Sequence, residues 1–168
     1  MNKNARITGM ITAACILFLT LAFIILAAVF PPQEYGTEEQ FLAGSGRTLI
    51  FPVIPSLLLV LANIPFLTSL FFYAGESARP LALTGLLFGV AYAVCGGINY
   101  FLQLTVVPRG ILSGDTGLIA VTCMHIKGSP AMALDNLGYA FLSLGFLFFS
   151  GIFTLKGLQG YIKTALGH

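Results

Sequence analysis

Asn99 and Gln103 stand four residues apart, Asp135 and Tyr139 stand four apart, and Arg109 follows Pro108 between the two pairs. On a helix that spacing puts both members of a pair on one face, so each pair makes a polar strip. Asn136, three residues before Tyr139, extends the second strip. Two amides facing an acid and a phenol can hold a hydrogen-bonding ligand, pass a proton or neutralise a cation. Asp135 carries most of that chemistry, because it opens the run "DNLGYAFLSLGFLFFSGIFTL", which is otherwise almost purely apolar. An ionised carboxylate at the centre of a bilayer costs at least about 2.5 kcal/mol. Asp135 is therefore expected to face neighbouring helices, pair with a cation, bind a proton or lie at headgroup depth. A purely structural role is the competing expectation. In "SPAMALDN" the acid lies in the early turns of a helix, where the dipole favours negative charge, and Arg109 is the cation within reach.

Other chemistries find too few residues. His125 is the only histidine before the C-terminal His168, so neither a metal site nor a haem held by paired histidines is expected. Cys123 and His125, two residues apart, point in different directions on any helix and make a poor nucleophile–base dyad. Cys15 and Cys95 lie in apolar runs and read as small packing residues, with no C-x-x-C to suggest a redox pair. The segment "AGSGRT" lacks the lysine and the flanking strand of a phosphate-binding loop. No cofactor is expected. Lysines and arginines are scattered singly, which argues against nucleic acid as a partner.

The elements that must carry the polar strips are apolar helices. Of the 168 residues 57% are hydrophobic and only 8% charged, and the mean hydropathy is +0.93. A soluble domain has about a quarter of its residues charged, so the chain reads as an integral membrane protein with the lipid bilayer as its first partner. Spans of roughly 20 apolar residues are expected at about 7–30, 49–74, 81–107 and 131–155, with loops at 31–48 and 108–130. The first is too long for the apolar core of a signal peptide and has no small-residue cleavage site after it, so it is read as an uncleaved helix. Pro52, Pro55 and Pro65 interrupt the second, whose outer end is expected to be kinked or irregular. Within the last loop "GLIAVTCM" is apolar but too short to cross, so residues 111–126 are expected to lie on the surface or partly re-enter.

Lys3, Arg6, Arg79, Lys156 and Lys163 fall on one side of these spans and Arg47, Arg109 and Lys127 on the other. Positive charge concentrates on the cytoplasmic side, which places both termini there and the two longer loops outside. The fold class is therefore an all-α integral membrane protein, a four-transmembrane-helix bundle forming a single domain over 1–168. Gly85 and Gly89 on the third span, with Gly138 and Gly145 on the fourth, let helices approach closely. They are expected to pack inside one chain; a homo-oligomer or partner membrane subunit is the alternative use.

The combination of Gln103, Pro108 and Arg109 with the later "ALDNLGYAFLSLGFLFF" resembles a pattern in uncharacterised prokaryotic multi-pass membrane proteins, domains of unknown function. The resemblance covers the second half of the chain. It implies a prokaryotic cytoplasmic membrane and no particular substrate. The leading expectation for function is a non-enzymatic membrane protein that binds a small ligand, lipid or partner subunit at Asn99, Gln103, Arg109, Asp135, Asn136 and Tyr139. The alternatives are a small oligomeric transporter or channel-like protomer using Asp135, and a membrane enzyme acting on a lipid-soluble substrate that enters between the third and fourth spans.

Overall fold

The computed structural model describes the backbone of residues 3–31, 33–44, 48 and 50–165, and side chains as far as Ile152. Leu49 and Arg47, together with the side chains of Lys156 and Lys163 used in the charge count, lie outside that description. Among the described residues seven helices follow in chain order: α1 (Lys3–Val29), α2 (Glu38–Ala43), α3 (Ile50–Tyr73), α4 (Arg79–Thr105), α5 (Val107–Ser113), α6 (Thr116–Thr122) and α7 (Pro130–Ala165). A single 3-10 turn, Glu76–Ala78, leads into α4. The four long helices are long and apolar enough to cross a membrane. Among the described residues no strand forms, and an isolated parallel bridge between Tyr35 and Ile126 is the one extended pairing.

The long helices pack in chain order, α1 on α3, α3 on α4 and α4 on α7, and these seams carry nearly all of the helix contact. The arrangement is thus an open row with α3 and α4 at its centre rather than a closed ring of four. Small residues on α4 explain how both neighbours come so close. A Cβ on Gly89 would collide with Leu67 of α3, and one on Gly96 would lie 2.9 Å from Val60. On its other side, a Cβ on Gly85 would meet the Phe149 ring at 2.9 Å, and one on Gly145 would lie 3.1 Å from the carbonyl oxygen of Gly85. These glycines therefore serve seams within one chain. In contrast, α1 buries only Leu19 and leaves Met10, Ile11, Phe18 and Ile25 exposed.

The prolines of α3 do not break it; the helix is continuous from Ile50 to Tyr73. Pro52 is the third residue of the helix, where the missing N–H has no intrahelical partner to lose. Around the other two, small polar side chains fold back on the ladder: Ser56 Oγ donates to the Pro52 carbonyl at 2.9 Å and Ser69 Oγ to that of Pro65 at 2.8 Å. Asn63 donates to the Leu59 carbonyl at 2.8 Å, one turn back, and not to the Leu61 carbonyl that Pro65 leaves free.

The connectors between α1 and α3 and between α4 and α7 meet at one end of the row and form a cap with its own apolar core. Tyr35, Phe41, Val107, Ile119, Cys123 and Ile126 are buried together there. Local sequence dictates the turns. Thr37 accepts from Gln40 N at 3.3 Å to start α2, and Asp115 accepts from Leu118 N at 2.9 Å to start α6. Gly114, at φ 66°, ends α5 in the left-handed conformation that glycine tolerates. Residues 111–126, expected on the surface or re-entrant, are the end of α5, all of α6 and the turn beyond. Each helix is 7 residues long, far short of a span.

Candidate functional site

The polar strip of α4 faces both the cap and α7. Asn99 is fully buried (0% exposed), and its Nδ2 donates to Asp135 Oδ1 at 3.0 Å and lies 3.5 Å from Met124 Sδ. Its own Oδ1 accepts from Gln103 Nε2 at 3.3 Å. Gln103, one helical turn further on, is equally hidden at 5% exposed. Its Nε2 donates to the Thr122 carbonyl at 2.6 Å, and its Oε1 accepts from Met124 N at 3.1 Å. One amide thus holds two backbone groups of the connector. An amide can do this because it carries donor and acceptor together.

That clamp, with two bonds between the connectors, sets the position of His125. Tyr35 N donates to the His125 carbonyl at 2.8 Å, and Lys127 N to the Tyr35 carbonyl at 2.9 Å. Ser129 closes the segment: its Oγ donates to the Cys123 carbonyl at 2.8 Å and accepts from Met132 N at 3.0 Å. It therefore N-caps α7, with Pro130 at the first helical position. Since α7 begins at Pro130, Asp135 lies in its second turn, past the residues that feel the helix dipole most.

Asp135, Tyr139 and His125 line a cavity of about 130 Å³, together with Tyr100 of α4 and Met124. Phe23 of α1 and Pro52, Val53 and Ser56 of α3 complete its wall. It lies between α3 and α7 at the end of the row beside the cap. The volume is well above the ~10–15 Å³ that one water needs. The Tyr100 and Tyr139 hydroxyls are 3.1 Å apart and hydrogen-bonded. Tyr139 remains 47% exposed, so the cavity is not sealed from its surroundings.

His125 Nε2 is buried and has no hydrogen-bond partner. Burial pushes the imidazole down to about 4, so the ring is neutral near pH 7. Burial likewise pushes the Cys123 thiol up to about 11, which keeps it protonated. Together with the 0% exposure of Cys123, this leaves no activated dyad. The histidine makes stability depend on pH in a defined direction. Its folded value lies below its unfolded value of 6.5, so between the two the unfolded chain binds more protons. Its contribution is therefore complete above about pH 6.5. It is lost as the pH falls toward 4. Between pH 7 and 5 the unfolding free energy is expected to drop by about 2 kcal/mol from this group. Subtracting the profile of His125→Gln from that of the wild type, both from thermal unfolding in detergent, isolates the effect from that of Asp135 on the same cavity. A flat difference across this range contradicts the assignment.

Of the residues singled out in the sequence, Asn99, Gln103, Asp135 and Tyr139 come together. Arg109 and Asn136 do not. Arg109 is exposed on α5, a new helix that begins at Val107 with Pro108 in its first turn. The carboxylate accepts a hydrogen bond from Asn99, and the expected Arg109–Asp135 pair is not formed. Asn136 is exposed, one residue and about 100° around α7 from Asp135. Sequence reasoning missed Tyr100 and His125 as site residues. Tyr100 follows Asn99 directly and could have been found, whereas no spacing relates His125 to helices that it reaches only through the Gln103 clamp.

Among the described residues no group of three or more His, Cys, Asp or Glu side chains is placed to hold a metal ion. Compared with known proteins, the chain matches no family model, no curated protein and no solved structure.

Proposed function

We propose that this chain is an integral membrane protein of four spans, with both termini cytoplasmic, that binds a small ligand in the pocket around Asp135 at the outer end of its helices. The setting is a prokaryotic cell membrane, and the role is binding rather than catalysis. The observation that carries the reading is an acid, Asp135, on the wall of one open cavity that His125, Tyr100 and Tyr139 also line. Asn99 orients Asp135, and Gln103 holds the connector that carries His125; both serve the pocket by positioning. The seam between α4 and α7 is closed at Gly85, Gly138 and Gly145, which weighs against a lipid-soluble substrate entering there.

Native mass spectrometry of the chain extracted in mild detergent tests this. The wild type is expected to carry a small molecule of discrete mass that is missing from Asp135→Asn. Identical spectra showing only lipid and detergent adducts would overturn the reading.

A further inference from the structure

The chemistry of the cavity wall specifies more than a generic ligand. Among the described residues Asp135 is the only acid on it, and no lysine or arginine lines it. The one other titratable nitrogen there belongs to His125, held neutral near pH 7 by its burial. Asn99 supplies the carboxylate with a hydrogen bond but with no charge. Arg109, the cation that the sequence offers as its partner, is exposed on α5. An ionised carboxylate in such a place is stabilised by a counter-charge, and this wall offers none. Beside it stand three aromatic rings, Phe23, Tyr100 and Tyr139. Aromatic faces attract ammonium groups, and more strongly when water is excluded. A metal cation fits poorly, because calcium seeks six to eight oxygen ligands and magnesium near-ideal octahedral geometry, whereas the wall holds a single carboxylate.

We infer that the pocket takes an organic cation, an amine or quaternary ammonium group, whose charge lies against Asp135 and whose carbon substituents lie against Phe23, Tyr100 and Tyr139. This inference rests on the binding role proposed above and adds the ligand's class to it.

Ser56 lines the same cavity from α3, and Ser56→Cys places a reporter thiol there with little change in shape. The rate of its modification is measured with 2-aminoethyl, 2-hydroxyethyl and 2-sulfonatoethyl methanethiosulfonates, which are cationic, neutral and anionic. Each rate is divided by that reagent's rate with a free thiol in solution, and peptide mapping separates modification of the reporter from that of Cys15, Cys95 and Cys123. A preference of about tenfold or more for the cationic over the anionic reagent is expected from one nearby charge in a medium of reduced polarity. Asp135→Asn should abolish the preference, and Asp135→Glu, which retains the charge, should keep it. Equal normalised rates for all three reagents would overturn the cation assignment while leaving an accessible pocket. No reaction at Ser56→Cys, with exposed Ser113→Cys reacting normally, would mean a closed pocket and would overturn the binding role as well.

Discussion

Replacing Gln103 with leucine is expected to cost about 2–5 kcal/mol of stability, because the substitution orphans two backbone groups at once. The Thr122 carbonyl loses its 2.6 Å donor and the Met124 amide its 3.1 Å acceptor, in a region where Thr122 and Gln103 are both buried. A buried polar group left unpaired costs its full desolvation, typically about 1–3 kcal/mol each, whereas the leucine returns only part of this as apolar burial. Gln103→Met conserves length and volume and is expected to lose nearly as much, which identifies hydrogen bonding rather than packing as the cause. Thermal unfolding in detergent gives the magnitude. Hydrogen exchange gives the location, since the Met124 amide should lose protection in both variants while the middle of α3 keeps it. Wild-type protection at Met124 in either variant would contradict the clamp.

Asn99→Leu is the second large effect expected, about 2–4 kcal/mol, because hydrogen bonds to charged groups are stronger than neutral ones. The substitution strips Asp135 of its 3.0 Å donor and Gln103 Nε2 of a 3.3 Å acceptor, and puts an apolar group against a carboxylate. The double variant Asn99→Leu with Asp135→Leu removes both ends of the main bond. Replacing both partners by apolar groups is often close to neutral, so the double variant is expected to be more stable than Asn99→Leu alone. A double-mutant cycle from unfolding midpoints measures the coupling. Additive losses would mean that Asn99 and Asp135 do not depend on each other.

Much of this architecture is legible in the sequence. The four long helices follow from uncharged runs of span length, and the facing of Asn99 and Asp135 follows from fourfold spacing on two neighbouring antiparallel helices. Glycine spacing on α4 and α7 also points to close packing, and the structure adds that Gly85 and Gly145 face each other. What periodicity cannot show is where a connector returns. The cap depends on contacts between residues far apart in the chain, Tyr35 with His125 and Gln103 with Met124, and each is a backbone or amide bond that leaves no pattern in composition. The Arg109 expectation fails for a related reason. Placing Arg109 near the outer end of the third span says nothing about its direction once a new helix, α5, has begun at Val107. The prolines of α3 suggest breaks, yet a proline in the first turn costs no hydrogen bond, and the helix runs unbroken through Pro55 and Pro65. The open row itself depends on which helix faces meet and not on how many helices there are.

The central claim is that Asp135 belongs to a binding pocket and does not hold the fold together. Its most direct test is the unfolding midpoint of ligand-free Asp135→Asn. The amide oxygen can still accept from Asn99, and the variant removes a charge that has no counter-ion on the cavity wall. Residues kept for binding often sit at some cost to stability, so the midpoint is predicted to equal or exceed that of the wild type. A fall equivalent to more than about 2 kcal/mol, the size of a lost charge-assisted hydrogen bond, would contradict the account and make the carboxylate a structural element.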